Sequence, residues 1–299
     1  MNKKFVIIIP TAYRHDRINS TLESLTHCHK PESFNATIVV ENGPKTNVEQ
    51  IISRYKENLS IRYLYVERPN KANALNEAIK QAGESFIFFS DDDVRYSKDV
   101  LTAYASAAAR RKGKEFYGGP VKIDYAKEPP PSWMHEFLPP SAKGFEVNSG
   151  SNELRRGRLP LGFNWAVSSE DILSVGGFNP IFGPGSSYTS LGDETDLQAR
   201  LLDSGFRGVY VPDALVWHYV PPERCNKRWL LKRAYNWGTE RGVNSKDSLT
   251  NLVNRWFFTL IKGLLHLTSN DEIKYFRSTY NFLLESGKVN GKLISQKLG

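Results

Sequence analysis

Short apolar runs alternate with amphipathic stretches through the first ninety residues. Residues 5–9 (Phe-Val-Ile-Ile-Ile), 37–41, 61–66 and 86–90 are apolar, rich in β-branched or aromatic residues, and too short for helices. Between them apolar positions recur at helical spacing: Ile18, Leu22 and Leu25; Val48, Ile51, Ile52 and Tyr55; Ala74, Leu75, Ala78, Ile79 and Ala82. Strands alternating with helices predict successive βαβ units and a mostly parallel sheet with helices on its faces. Beyond Asp93 the pattern predicts an Ala-rich helix from about Lys98 to Arg111, capped by Ser97, and a strand over Phe116–Val121 interrupted by glycines.

From Asp124 to Pro160 the pattern dissolves into a stretch with Pro129-Pro130-Pro131, Trp133 and Pro139-Pro140, which reads as a functional loop or lid. A strand at Leu161–Ser168 and a short helix at Glu170–Val175 follow, the latter closed by Gly176-Gly177. A glycine-rich loop (Gly183, Gly185, Gly192) leads to a helix from Asp193 to Ser204, and then to a strand at Gly208–Val211 and the run Val216-Trp217-His218-Tyr219.

Composition narrows the class. A chain of 299 residues with 40% apolar content, six Trp, 14 Tyr and 16 Phe can bury a real core, which argues against disorder. Cys28 and Cys225 form neither a disulfide framework nor a metal motif, which suits a reducing, cytoplasmic setting. Lys3 and Lys4 precede an apolar stretch that ends at Pro10, too short for a secretory leader, and no run approaches the ~20 residues of a membrane span. The net charge of +8 is uneven. From Glu223 onward there are 14 Lys or Arg against 6 Asp or Glu, whereas the rest has 26 of each. A neutral body with a basic tail predicts two parts with different partners, divided near residue 222.

The apolar run Phe86–Phe89 stops in Ser90-Asp91-Asp92-Asp93. Three carboxylates at the end of a core strand raise each other's pKa and need a counter-charge. Two readings follow: a divalent cation at the carboxyl edge of an open sheet, or a solvated turn before an acidic helix start. A second acidic group, Asp193-Glu194, opens a helix whose apolar face is Leu197, Leu201 and Leu202, so a general base there is one reading and dipole stabilisation the other. His218 is either a core histidine or a metal or diphosphate ligand. After the first strand come Pro10, Tyr13, Arg14 and Arg17, with no dinucleotide or P-loop motif; Tyr13 can stack on a base and Arg14 or Arg17 can meet a phosphate. Glu41 ends the second strand, where an acid can accept the N–H of a base, and Lys71 and Asn73 follow the third.

These residues together resemble the family 2 glycosyltransferases over roughly residues 5–225. The resemblance rests on Ile9-Pro10-Thr11 with Arg17, Val40-Glu41-Asn42-Gly43, Asn70 to Asn76, Ser90 to Asp93, Gly162-Phe163-Asn164-Trp165-Ala166, Gly176-Gly177-Phe178, Gly192 to Leu197 and Pro212 to His218. It implies the α/β GT-A fold and a nucleotide-diphosphate sugar as donor. A nucleotide-sugar half of about residues 1–121 and an acceptor half of about 122–222 would precede a C-terminal helical appendage. By position, Pro10, Tyr13 and Glu41 would cradle the base, with Arg17, Lys71, Asn73 and Asp92 nearby. Asp91 would contact ribose or sugar, and Asp93, with Asp91 and His218, would bind Mg²⁺ or Mn²⁺. Glu194 would be the base of an inverting transfer, with Asp193 as the alternative, because this chain reverses the family's Glu-Asp order. The relatives it most resembles build polysaccharide or lipid-linked glycans, and Trp133 and Trp165 are candidates for stacking on sugar, with core packing the default for Trp165.

Other classes fit less well. A sugar-nucleotide nucleotidyltransferase needs a Gly-rich, basic loop after the first strand, where this chain has Pro10-Thr11-Ala12. A non-catalytic sugar-binding module needs no base at Glu194, and no motif supports nucleic-acid binding. In the tail, Arg224, Lys227, Arg228, Lys232 and Arg233 surround Trp229, Leu230 and Leu231, and Trp256 to Leu267 is apolar but broken by Lys262 and His266. That pattern fits an interfacial helix on an anionic membrane, placing the chain at the inner face of the cytoplasmic membrane near a lipid-linked acceptor. Packing or a homodimer interface is the other reading.

Overall fold

The first apolar run divides between two faces of a sheet. Phe5, Ile7 and Ile9 enter one core cluster, and Val6 and Ile8 enter the other. Phe86 and Phe88 likewise part from Ile87 and Phe89, which is why these strands read as continuous apolar runs. The computed structural model describes residues 3–147, 152–186, 191–266 and 271–298. The chain forms two compact units.

The first unit comprises residues 1–124, 140–186 and 193–219. Its strands β1 (Lys4–Thr11), β2 (Phe34–Asn42), β3 (Ile61–Val66) and β4 (Ser85–Phe89) are parallel. They are linked by α1 (His15–Thr26), by α2 (Val48–Ile52) with α3 (Lys56–Leu59), and by α4 (Lys71–Ala82). A short strand β5 (Val94–Tyr96) and helix α5 (Val100–Ala109) come next, followed by β6 (Glu115–Gly118) and β7 (Val121–Tyr125). The remaining elements are α6 (Pro140–Lys143), β8 (Glu153–Leu154), β9 (Trp165–Ser168), α7 (Ser169–Ser174), α8 (Asp193–Asp203), β10 (Arg207–Tyr210) and β11 (Val216–Val220). The large sheet has the order β3-β2-β1-β4-β9-β6-β10-β8, with β9 antiparallel to both β4 and β6 and β8 antiparallel to β10. A second, three-stranded sheet has the order β5-β11-β7.

Helices α1 and α5 cover one face, through Ile18, Leu22, Leu25, Val100, Leu101 and Tyr104; α4, α7 and α8 cover the other, through Leu75, Ile79, Ile172, Leu197 and Leu201. Several boundaries differ from the sequence reading. The Phe116–Val121 strand is two strands parted at Gly119-Pro120, because a Cβ at Gly119 would stand 2.1 Å from the Ala214 carbonyl oxygen. The strand expected from Leu161 begins only at Trp165. Before it, the fully buried Asn164 donates to the carbonyls of Pro120 and Ala214 at 2.9 Å and accepts from the Tyr104 hydroxyl at 2.8 Å. Ser97 does not cap α5: its N-cap is Asp99, without a side-chain bond.

The second unit comprises residues 125–139, 187–192 and 220–299. It holds α9 (Lys227–Val243), α10 (Leu249–His266) and α11 (Glu272–Leu298). Asn226 caps α9, its Oδ1 accepting the Trp229 N–H at 2.9 Å. Part of the proline-rich segment packs here: Trp133 stands edge-on to Phe276 at 5.3 Å, and Phe137 to the same ring at 5.0 Å. Helices α9 and α11 meet along glycines four residues apart on each. A Cβ at Gly238 would lie 2.1 Å from the Leu284 carbonyl oxygen, and one at Gly291 2.0 Å from that of Thr239. Gly242 and Gly287 are as confined, and rising numbers pair with rising numbers, so the two helices run parallel at backbone contact. Among the described residues no helix is long and apolar enough to cross a membrane. Leu267, part of the apolar run read from sequence, lies outside the described residues.

Candidate active site

The carboxyl ends of β1 and β4 lie side by side, with Ile8 paired to Phe89 and the Ser90 N–H donating to the Ile8 carbonyl at 3.0 Å. Strand order reverses between them. Helix α1 leaves β1 over one face and α4 reaches β4 over the other, the switch point at which open α/β sheets bind ligands. Asp91, Asp92 and Asp93 occupy that edge, each held differently.

Asp92 faces inward at 3% exposure. Its Oδ2 accepts from the Thr11 hydroxyl at 2.7 Å, Oδ1 lies 3.1 Å from Arg14 Nη1, and its carbonyl accepts from the Thr21 hydroxyl at 2.9 Å. Burial pushes its carboxyl up to about 7 against the pull of Arg14. Asp92 therefore anchors the turn to β1 and α1. Asp93 accepts from the same Arg14 Nη1 at 2.8 Å, and its Oδ1 faces His218 Nε2 at 3.4 Å. The second sheet makes that meeting: Val94 pairs with His218, and the Tyr219 N–H donates to the Asp93 carbonyl at 2.9 Å. His218 stacks on Phe163 at 4.3 Å, and Nδ1 donates to the Ser141 carbonyl at 2.6 Å. In the neutral ring that bond leaves the Nε2 lone pair facing a carboxylate.

Asp91 turns the other way and accepts from Lys71 Nζ at 2.8 Å. Burial raises its pKa and Lys71 opposes the rise. Lys71 opens α4 and joins two acidic groups. Burial disfavours its charge, but Asp91, Asp193 and Glu194 outweigh burial and hold its pKa above the ordinary lysine value. Glu194, half-buried, is pushed up to about 8 by burial, then by the charge of Asp193 and a hydrogen bond with it, while Lys71 pulls it down. Both acids press on glycines: a Cβ at Gly162 would meet Glu194 Cδ at 2.9 Å, and one at Gly183 would meet Asp193 Cγ at 2.8 Å.

Other sequence-predicted residues are placed as follows. Tyr13 is 62% exposed and has φ +57, a left-handed conformation rarely adopted by a bulky residue and found mostly where function demands it. Pro10 is buried in β1. Arg17 stacks its guanidinium on the Tyr219 ring at 3.5 Å instead of standing free for a phosphate. Glu41 is 0% exposed, and its oxygens accept from Thr46 N at 2.7 Å and from the Tyr63 hydroxyl, so as placed it shapes the loop and presents no face to a base. The Asn73 N–H is held by the capping Asn70 side chain at 2.9 Å. Trp165 is fully buried and stacked on Phe89 at 4.9 Å, a core residue and not a sugar platform, and Trp133 packs on Phe276.

Sequence reasoning did not single out Thr21, and it named Asn76 and Gly162 only within family motifs, without a role. Thr21 carried a signal, because it falls on the stripe of Ile18, Leu22 and Leu25, where a polar residue needs a buried partner. A cavity of about 850 Å³ lies elsewhere, between α5 and the β6–β10 pair, lined by Asp99, Arg110, Glu115, Tyr117, Arg207 and Asp213. It touches none of the acids at the strand ends.

Asp91 does not join Asp93 and His218, since Lys71 holds it. Among the described residues no group of three or more His, Cys, Asp or Glu side chains is gathered for a metal. Asp93 and His218 nevertheless fit a divalent cation. A carboxylate and an imidazole lone pair converge, the far ring nitrogen is fixed by a carbonyl, and a cation that also binds substrate phosphate needs few protein ligands.

The family model for glycosyl transferase family 2 matches residues 6–158. The succinoglycan biosynthesis protein ExoM of Rhizobium meliloti (strain 1021) is 28% identical over 259 residues, covering 83% of this chain and 77% of the relative. The mannosyltransferase PcManGT from Pyrobaculum calidifontis, solved with GDP-Man and Mn²⁺, superposes with a TM-score of 0.62 at 16% identity, over 98% of this chain and 88% of that one. S. aureus TarS 1–349 in complex with UDP superposes with a TM-score of 0.54 at 16% identity, over 98% and 92%. The fold is that of the GT-A glycosyltransferases.

Proposed function

Because the chain belongs to glycosyl transferase family 2 and is a glycosyltransferase, we propose that it transfers a sugar in polysaccharide biosynthesis, from a nucleotide-diphosphate sugar to a hydroxyl of a glycan or lipid-linked acceptor, with inversion at the anomeric carbon. The observation that carries this reading is Lys71, whose Nζ donates to Asp91 at 2.8 Å while it also feels the charges of Asp193 and Glu194. It supports reading the strand-end acids as the donor side and the Asp193-Glu194 pair as the acceptor side.

On the donor side Tyr13 offers an exposed ring to the base. Arg14 and Lys71, whose charges are now spent on Asp91, Asp92 and Asp93, are the cations available to a diphosphate. Asp93 and His218 would hold Mn²⁺ or Mg²⁺, which when bound supplies positive charge that stabilises the departing diphosphate. On the acceptor side Glu194 takes the proton of the attacking hydroxyl as its oxygen bonds to the anomeric carbon and the bond to the diphosphate oxygen breaks. A carboxylate raised to about 8 is a stronger base than an ordinary glutamate and is matched to work near neutral pH. Asp193, 3% exposed and hydrogen-bonded to Glu194, keeps that pKa high.

Residues 1–222 are the proposed catalytic domain. The basic region 223–299 is the proposed contact with the anionic inner face of the cytoplasmic membrane, its support being the net charge concentrated there. The test of the donor site is a thermal-shift screen of UDP and GDP with Mn²⁺ or with chelator. A ligand that binds only the folded state raises its stability as RT ln(1 + [L]/Kd). A Tm rise that needs Mn²⁺ and disappears in Asp93→Asn is expected; a chain that neither nucleotide stabilises under any condition is not using this site.

A further inference from the structure

Helix α10 has two apolar faces, and they do different things. Leu252 is fully buried, and Trp256 packs toward α11, its Nε1 donating to Ser286 Oγ at 2.9 Å and its ring 5.7 Å from Phe282. A second set, Val253, Phe257, Phe258, Ile261 and Leu264, recurs at spacings of about three and four along the same helix and is 40% to 62% exposed. Lone exposed apolar side chains are ordinary, but a contiguous stripe with paired phenylalanines calls for a partner.

We infer that this face of α10 inserts into the interfacial layer of an anionic lipid bilayer. The inference rests on the membrane contact proposed above and names the face that makes it. Three observations select lipid over a second copy of the chain. Lys262 rides at the margin of the stripe, its Nζ 5.4 Å from the Phe258 ring, so a cation borders the apolar band where headgroup phosphates lie. The region from Glu223 carries 14 Lys or Arg against 6 Asp or Glu, so two copies joined face to face would oppose like charges, whereas an anionic surface complements them. The helix is also backed on its other side: α11 holds Trp256, and α11 is itself locked to α9 at backbone contact. The stripe is thus presented on a prebuilt platform and need not fold on contact.

The test is co-sedimentation of the full-length protein with vesicles of phosphatidylglycerol and phosphatidylcholine, or of phosphatidylcholine alone. Wild type and a triple variant (Phe257→Ala, Phe258→Ala, Leu264→Ala) are compared. These side chains are exposed, so the variant should keep the wild-type Tm. Wild type is expected to bind the mixed vesicles, less so as NaCl rises, and the variant at least tenfold more weakly. Equal binding by variant and wild type overturns the face assignment while leaving the membrane contact standing. A wild type that ignores both vesicle types overturns the membrane contact and this inference together. Sedimentation velocity closes the remaining route: a wild-type dimer that the triple variant dissolves assigns the face to a second copy and overturns lipid.

Discussion

The strand-end acids of the first unit and the α9–α11 seam of the second solve opposite problems of close approach. At the strand ends, like charges are crowded together and held by cations from elsewhere in the chain: Arg14 on Asp92 and Asp93, and Lys71 on Asp91. Along the seam, two backbones are crowded together and held by the absence of side chains at Gly238, Gly242, Gly287 and Gly291. The first arrangement stores a demand for charge that a ligand can meet, which suits a site. The second leaves no space for a ligand, which suits a scaffold.

The sharpest break in the comparison comes from neutralising the acidic side alone. Glu194→Gln keeps the shape pressed against Gly162 but cannot take a proton. Loss of a general base costs ~10²–10⁴-fold in rate, so kcat should fall by that factor with UDP affinity nearly unchanged. A variant within about threefold of wild type would move the role to Asp193.

Next in size is the seam. Gly291→Val places a Cβ 2.0 Å from a carbonyl oxygen of the facing helix, where neither backbone can yield without parting. Overpacking of this kind costs about 1–3 kcal/mol and more when backbone is the obstacle. Denaturant unfolding should show a loss of about 3 kcal/mol or greater. A substitution tolerated within 0.5 kcal/mol would mean the helices do not touch as closely as described.

The same contrast decides what could be read from sequence. Asp91-Asp92-Asp93 after Phe86–Phe89 is legible because charge ending an apolar run is anomalous wherever it occurs. The βαβ alternation is legible because Ile7 and Ile8 must face opposite helices. The partners are not: nothing local says that Asp92 turns to Thr11, that Glu41 is used up by Tyr63, or that Lys71 reaches Asp91, since each pairing joins separate segments. The seam escaped for another reason. Hydrophobic periodicity weighs side chains, and the residues that position α9 against α11 have none. Gly-x-x-x-Gly recurs in both helices, and that spacing was the available signal.

Acidity supplies a third, smaller effect. Because Glu194 is raised to about 8, kcat/KM should climb about tenfold per pH unit on the acid side and level off above 8. The stability consequence has a definite sign. The folded state binds the extra proton between the ordinary glutamate value near 4.5 and about 8, so stability contributed by this group is intact below that window and is lost as pH rises through it. Glu194→Gln has no such loss, so its Tm should exceed that of wild type at pH 8.5 and match it more nearly at pH 5. A wild-type profile flat from pH 6 to 9 would mean that Glu194 is not the titrating base.

The smallest effect separates scaffold from chemistry within a single helix. In α4, Lys71 faces Asp91, whereas Asn76 serves the turn at Phe178: its Oδ1 accepts the Phe178 N–H and its Nδ2 donates to the Phe178 carbonyl, both at 2.8 Å. Gly177 is glycine because a Cβ there would stand 2.8 Å from that same Oδ1, in a backbone at φ +72. Asn76→Ala strips both bonds from the Phe178 backbone, whose residue is 2% exposed, and an unsatisfied buried group costs about 1–3 kcal/mol. Urea unfolding should therefore fall by about 2 kcal/mol while UDP binds within twofold of wild type. Lys71→Met, five residues earlier, should do the reverse, weakening UDP at least tenfold with a smaller change in stability. If Asn76→Ala weakened UDP as much as Lys71→Met does, the helix would act as one unit, and scaffold and site would not divide along it.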